Sequence, residues 1–285
     1  MNYGPGSQAR GPSGGGADPE PLVTLTVLGS GTLLPDDAHH SPAFHLRAGG
    51  LRCLLDCGSG TLHGMARYGL SWSDLDVLAF SHFHTDHLGD LAPLFFAFRH
   101  GLRPPRTEPL TLVGPPGLEE RLEALAAAFG DHVIDPGFPV RVRELGRRAG
   151  WQAPGAVLRV RFHPTAHTDR SVAHRWEAGG CMVAYTGDTG PQPELGAFLR
   201  GADVLISECG LPDGTEMELH MTPSRVAVLA REARPRLLIT THVYPPLVPE
   251  EVPELVAEAG WAGRVEAGRD GMVVELGSRG ELRVR

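Results

Sequence analysis

The sequence predicts an α/β fold with mixed sheets. Short β-like runs alternate with helical ones from Leu22 onward, with hairpins early and β-α alternation later. Apolar residues make up 41% of the 285, enough for one large core. Composition stays even over 22–285 with no short-period repeat, so this span reads as one domain. Residues 1–21 are Gly, Pro and Ser with almost nothing to bury. They read as a disordered tail and lack the apolar segment of a secretory signal.

Residues 22–28 form a strand by their β-branched content, closed by Gly29-Ser30-Gly31. Residues 43–47 and 52–56 read as a strand pair turned at Gly49-Gly50. Residues 75–81 read as a buried strand, and 88–99 and 116–129 as helices. In the first of these helices Leu88, Leu91, Leu94, Phe95 and Phe98 make one broad face, with Phe96 off it. A helix apolar on two sides is buried on two sides, so the second side suits a homodimer contact. Strands follow over 157–162, 182–186, 204–207 and 237–241. A helix over 223–233 carries Thr222 as N-cap and Pro223 in its first position.

The 26 basic residues stand against 34 acidic ones, a net charge of −8. Nucleic-acid binding draws on clustered positive charge, so a protein gripping nucleic acid with its whole surface is excluded; a local basic patch is not. Every basic residue is Arg, which excludes a Schiff-base Lys and a phosphate-loop Lys. The lack of Lys, and of Asn beyond Asn2, reads as codon bias. No apolar run approaches the roughly 20 residues that span a bilayer. Cys53, Cys57, Cys181 and Cys209 form no Cys-x-x-Cys pair and read as buried free thiols of a cytoplasmic protein.

Ser81-His82-Phe83-His84-Thr85-Asp86-His87 carries the strongest chemical signal. Three His and one Asp fall directly after a strand. His82 and His84 alternate and so point the same way, while Asp86 and His87 open the next helix. Such a loop presents two divergent ligand sets, enough for two metal ions side by side. Imidazole and carboxylate suit zinc first, with manganese or iron as substitutes.

This pattern resembles the metallo-β-lactamase superfamily, and further motifs follow in its order. They are Gly29-Ser30-Gly31-Thr32, Leu54-Leu55-Asp56-Cys57-Gly58, Thr165-Ala166-His167-Thr168, Tyr185-Thr186-Gly187-Asp188-Thr189 and Ile239-Thr240-Thr241-His242. The resemblance implies a four-layer αβ/βα sandwich with two metals at one edge of its sheets. It implies that His82, His84 and His167 hold the first, that Asp86, His87 and His242 hold the second, and that Asp188 bridges them. A shared hydroxide between the metals then attacks the substrate, with Asp86 also holding it. Asp56 orients a His through its other ring nitrogen.

Glu208 in Ile206-Ser207-Glu208-Cys209 and His220 in Leu219-His220-Met221-Thr222 look like the ribonuclease Z branch. There His220 faces the scissile phosphate and Glu208 orients it. The branch's tRNA-gripping arm lies between the third-motif His and the bridging Asp. Here His167 and Asp188 are only 21 positions apart, and a hairpin-like stretch fills the interval. The implied substrate is a phosphodiester, either RNA or a small cyclic or linear diester. The alternatives are tRNA 3′-end processing proper, hydrolysis of a lactone, thioester or sulfate ester, and a non-catalytic scaffold binding RNA or a partner. The complete ligand set argues against the scaffold. Nothing in the chain supports an iron-containing flavoprotein relative.

Two basic stretches, Arg99, His100, Arg103 and Arg106, then Arg141, Arg143, Arg147 and Arg148, read as solvated faces, with a phosphate-binding rim as the alternative. His39 and His40 lie on a loop that approaches the site entrance in the family, read here as a mobile polar loop that can touch substrate. His45, His63, His132, His163 and His174 match no ligand motif.

Overall fold

The computed structural model describes residues 20–285. The disordered tail expected over 1–21 therefore lies outside the described residues, apart from Glu20 and Pro21. Strands β1 (Val23–Gly29), β2 (Ala43–Ala48), β3 (Leu51–Leu55), β4 (Val77–Ala79), β5 (Leu110–Gly114) and β6 (Val140–Glu144) come first. They are followed by β7 (Gly150–Gln152), β8 (Arg159–Pro164), β9 (Val172–Ala178), β10 (Cys181–Tyr185), β11 (Val204–Glu208), β12 (Leu237–Thr241) and β13 (Val265–Ala267). β14 (Val273–Leu276) and β15 (Leu282–Val284) close the chain.

One sheet runs β15-β14-β1-β2-β3-β4-β5-β6, the other β13-β12-β11-β10-β9-β8-β7. Both are mixed in the same way. β15 to β3 pair antiparallel and β3 to β6 parallel. β7 to β10 pair antiparallel and β10 to β13 parallel. The inner faces of both sheets share one core, in which Leu25, Leu55 and Val77 meet Trp176, Ile206 and Ile239. The outer faces are covered separately. Helices α1 (Thr61–Arg67), α2 (Thr85–Leu88), α3 (Leu91–Gly101) and α4 (Leu118–Phe129) belong to the first sheet. Helices α5 (Leu195–Phe198), α6 (Pro223–Ala233) and α7 (Val252–Glu258) belong to the second. This is the helix–sheet–sheet–helix sandwich that the sequence led us to expect.

The alternation of strand residues explains why central strands read as continuous apolar runs. In β3, Cys53 and Leu55 face the inner core, while Leu54 faces α1 and α3. In β12, Leu237 and Ile239 face inward and Leu238 faces α6 and α7. A strand covered on both faces has no polar alternation. Truncating a fully buried residue such as Leu54 costs about 2–5 kcal/mol.

Four expected elements shift, one of them the buried strand expected over 75–81, which is only β4, Val77–Ala79. The helix expected over 88–99 is split, because Asp90 turns its carboxylate to the Leu62 N–H at 2.9 Å and α3 starts only at Leu91. The helix expected from Pro116 starts at Leu118, after Gly117 in a left-handed conformation. The strand expected over 157–162 runs two residues later. The hairpin expected between His167 and Asp188 is β9–β10, and α6 keeps its expected bounds, with the Thr222 hydroxyl accepting from Arg225 N–H. All four cysteines are free, but Cys181 is partly exposed rather than buried, since it opens a strand.

Candidate metal centre

The C-terminal ends of β3, β4, β8, β10, β11 and β12 meet at one edge of the sandwich. Asp56 follows β3, His82–His87 follow β4, His167 follows β8, Asp188 follows β10, Glu208 ends β11 and His242 follows β12. Loops at the carboxyl ends of parallel strands collect side chains without interrupting the ladder. Asp56 and His242 both adopt positive φ, 54° and 59°. A non-glycine residue rarely tolerates this conformation, and such strain clusters at functional sites.

Seven predicted ligand residues converge. His82, His84, His167 and Asp188 offer atoms within 4.8 Å of one another, and so do Asp86, His87 and His242. Asp188 lies between the groups. Its Oδ2 is 3.8 Å from His82 Nε2, 3.7 Å from His167 Nε2 and 3.5 Å from His242 Nε2, and its Oδ1 is 3.4 Å from His87 Nε2. Asp86 Oδ2 is 3.4 Å from His242 Nε2 and 3.7 Å from His87 Nε2. His82 Nε2, His87 Nε2 and Asp188 Oδ1 are buried without any hydrogen-bond partner. Buried polar atoms are normally paired, so these inward-facing nitrogens and carboxylates fit divalent cations. Burial opposes the charge of Asp188, yet the surrounding His242 and His87 rings hold its carboxyl well below the usual range.

The ring orientations are set from behind. Asp56, 1% exposed, accepts at Oδ2 from His87 Nδ1 at 2.7 Å, Tyr185 Oη at 2.8 Å and Ser81 Oγ at 2.7 Å, and at Oδ1 from Ser81 N–H at 2.7 Å. Ser81 Oγ also lies 3.0 Å from His82 Nδ1. One buried carboxylate thus places protons on the far side of two rings and leaves both Nε2 atoms as ligands. His167 is held through Nδ1, 3.1 Å from the Leu219 carbonyl. Ser81, Tyr185 and the Leu219 carbonyl were missed as orienting groups. The first two stood inside quoted motifs, whereas a backbone carbonyl has no sequence signature.

His220 joins the cluster from the loop before α6. Its ring stacks 5.7 Å from that of His242 and meets that of His167 at 4.8 Å. Its Nδ1 lies 2.8 Å from Glu208 Oε1. Glu208, 1% exposed, also accepts from the N–H groups of Thr189, Gly210 and Met221. Burial raises the Glu208 carboxyl pKa. Burial also opposes charge on His220, but the Glu208 hydrogen bond and charge outweigh it and raise the imidazole pKa.

A cleft of about 820 Å³ opens beside His84 and Asp86, walled by Thr32 to Asp36 and by His39 to Ser41. The polar loop forms hydrogen bonds here, some within itself and some to its surroundings. Gly31 N–H donates to the His40 carbonyl, Ser41 N–H to the Ser59 carbonyl, and the N–H groups of Ala38 and His39 to Asp36. None of the eight residues of the basic stretches lines this cleft. Arg106 instead donates to the carbonyls of Glu108, Ser73 and Pro109 and lies over Phe98 and Phe138, while Arg148 pairs with Glu194 at 2.6 Å.

Comparison with known proteins agrees with this architecture. The family model of the beta-lactamase superfamily domain matches residues 51–243. A protein named ribonuclease Z from Mycobacterium sp. (strain KMS) is 31% identical over 266 residues, covering 85% of this chain and 90% of its own. Among solved structures, the metallo-beta-lactamase fold protein YhfI from Bacillus subtilis is 26% identical with a TM-score of 0.75, covering 89% of this chain and 99% of its own. Human tRNase Z, short form, superposes with a TM-score of 0.72 at 21% identity, covering 88% and 98%. The family match over the metal-binding strands and the relatedness along nearly the whole chain make this protein a metal-dependent hydrolase of the metallo-β-lactamase superfamily, in its ribonuclease Z-like branch.

Proposed function

We propose that this protein is a dinuclear phosphodiesterase of ribonuclease Z-like type, built on a hydrolase domain over 22–285. The observation that carries the reading is His220, backed by the buried Glu208 and stacked beside the ligand cluster. An imidazole so placed can give a proton to the leaving oxygen of a phosphodiester. In this reading His82, His84 and His167 would hold one ion, Asp86, His87 and His242 would hold the other, and Asp188, between the two groups, would serve both. Zinc suits these ligands, and manganese or iron would be accepted. When bound, the ions supply Lewis-acid charge and an activated water. Asp86 accepts a hydrogen bond from the attacking water. Glu208 keeps a proton on His220 Nδ1, and His220 Nε2 donates to the leaving oxygen. Asp56 keeps the His87 ring in register.

The substrate is a small cyclic or linear diester, or RNA. tRNA 3′-end processing is the second reading, favoured by mycobacterial relatives named ribonuclease Z that match nearly end to end. The net charge and the β9–β10 hairpin in place of an arm weigh against it. We also propose a cytoplasmic protein, in keeping with its free thiols. No described helix is long and apolar enough to cross a membrane. A homodimer through α3 is supported by Phe96, 53% exposed and lining one surface groove with the exposed Phe129. Sedimentation of Phe96→Glu against wild type tests it.

The deciding experiment is hydrolysis of bis(p-nitrophenyl) phosphate by zinc- or manganese-loaded protein, alongside His220→Ala. The expected result is hydrolysis by wild type and a loss of about 10²-fold in the variant. Inactivity of a protein that holds two metals would redirect attention to lactones, thioesters and sulfate esters.

A further inference from the structure

The cleft beside the candidate metal ligands is walled by apolar side chains left in water. Leu33, Leu34 and Pro35 line it together with His84 and Asp86, and most of the lining surface is carbon. Leu33 is 60% and Leu34 46% exposed. The turn that carries them is fixed, since the Leu34 N–H donates to Thr32 Oγ1 at 3.0 Å and the Ser41 hydroxyl donates to the Thr32 carbonyl at 3.2 Å. Met217 and Leu219, exposed as well, lie on the loop that brings in His220 and whose Leu219 carbonyl holds His167. Large apolar side chains left exposed side by side in a cleft mark a binding surface.

Charge narrows what can lie there. Among the described residues no Arg lines the cleft, and the chain contains no Lys. Besides Asp86, the one carboxylate in the wall is that of Asp36. His39 lies 3.1 Å from Asp36 and His40 2.8 Å from Asp270, so a proton on either ring is balanced by its own neighbour. The flanking phosphates of an RNA strand would enter this cleft with no cation to meet them. An uncharged carbon chain or ring instead covers Leu33, Leu34 and Pro35 and displaces only water. We infer that the cleft binds an uncharged, apolar ester arm of the substrate, next to the reacting phosphate, and so selects small monoanionic diesters over RNA. The inference rests on the phosphodiesterase reading above and names the substrate class of that site.

The test uses alkylphosphonates, single-armed mimics whose P–C bond resists hydrolysis, on zinc-loaded protein. Calorimetric Kd is measured for methylphosphonate, hexylphosphonate and 5-carboxypentylphosphonate, the last ending in a carboxylate. A fully buried methylene is worth about 4-fold in affinity, and about 2-fold where an open cleft covers it by half. Five added methylenes should therefore make hexylphosphonate bind about 30-fold more tightly than methylphosphonate. The carboxylated arm should bind no better than methylphosphonate, and phosphorothioate pentauridylate should displace hexylphosphonate no better than methylphosphonate does. Leu33→Ser/Leu34→Ser should bring the hexyl-to-methyl ratio below about 5-fold. Leu33→Arg/Leu34→Arg should favour the carboxylated arm over the hexyl one. Both positions are exposed, so the fold tolerates these changes. Equal affinity for hexyl and methyl arms, a carboxylated arm or RNA that binds as tightly as hexylphosphonate, or a 30-fold ratio that survives in the serine variant overturns the inference. Bis(p-nitrophenyl) phosphate tests the underlying reading separately. If it is cleaved while the hexyl and methyl arms bind alike, only the apolar arm fails. If no diester is cleaved while the hexyl preference is present and falls with Leu33 and Leu34, the phosphodiesterase reading fails and the apolar arm belongs to another ester class.

Discussion

Asp56→Asn isolates the orienting role of one buried carboxylate. Four donors converge on Asp56, two from Ser81 and one each from His87 and Tyr185. The asparagine oxygen can keep the Ser81 N–H, but the amide NH₂ then faces the other three donors. The Ser81 and Tyr185 hydroxyls can rotate and accept. The His87 ring cannot, and relieves the clash by moving its proton to Nε2, the atom aimed at Asp86 and Asp188. A protonated Nε2 is not a ligand. Loss of such an orienting partner typically weakens metal binding about 10–100-fold, or about 1.4–2.8 kcal/mol. One metal equivalent should therefore weaken by this amount, measured by chelator competition, while the other changes less. The metal-free protein should lose about 1–3 kcal/mol for the charge-assisted hydrogen bonds that the amide cannot accept, read from urea denaturation. Tyr185→Phe is the control, because it removes one donor to Asp56 and leaves the His87 contact. The reasoning is refuted if folded Asp56→Asn binds both equivalents as wild type does, or if Tyr185→Phe weakens metal binding equally.

Glu208→Gln should cut kcat by about 10-fold or more with both metals retained, and Glu208→Gln/His220→Ala should be no slower than His220→Ala alone. Additive losses would show that the two residues act independently. Burial pushes His45 and His174 down to about 4. The unfolded imidazoles take up protons near pH 6.5, so the unfolded state binds more protons between those values. Stability is therefore full above about pH 6.5 and falls toward pH 4, by about 2 kcal/mol per residue at pH 5. Denaturant titrations of chelated protein at pH 7.5 and 5.0 check this, and His45→Gln should shrink the difference by about 2 kcal/mol. Arg106→Ala should cost about 2–4 kcal/mol, since three carbonyls lose a charged donor, while leaving catalysis intact. A catalytic defect with unchanged stability would restore the phosphate-rim reading.

The sequence by itself pointed to the fold class, to the seven residues that cluster at one edge of the sandwich and to the His220–Glu208 contact. Except for His220, which precedes α6, those residues stand at or just after strand ends, in short motifs whose spacing follows from local geometry: alternation carries His82 and His84 to one side, and the turn into α2 carries Asp86 and His87 to the other. Most strands buried on both faces announced themselves as apolar runs, although the buried β5 and the strand β14 went unread. β6, β7, β13 and β15 did not, being short and only partly covered, with no clean period to read. Only the tertiary structure decided what stands behind the ligands. Asp56 meets Tyr185 across 129 positions, and Asp270 meets His40 across 230. Such pairs leave no periodic or local trace, because folding rather than chain proximity brings them together. The same holds for Arg106, which looked like surface charge until three carbonyls and two aromatic rings closed around it.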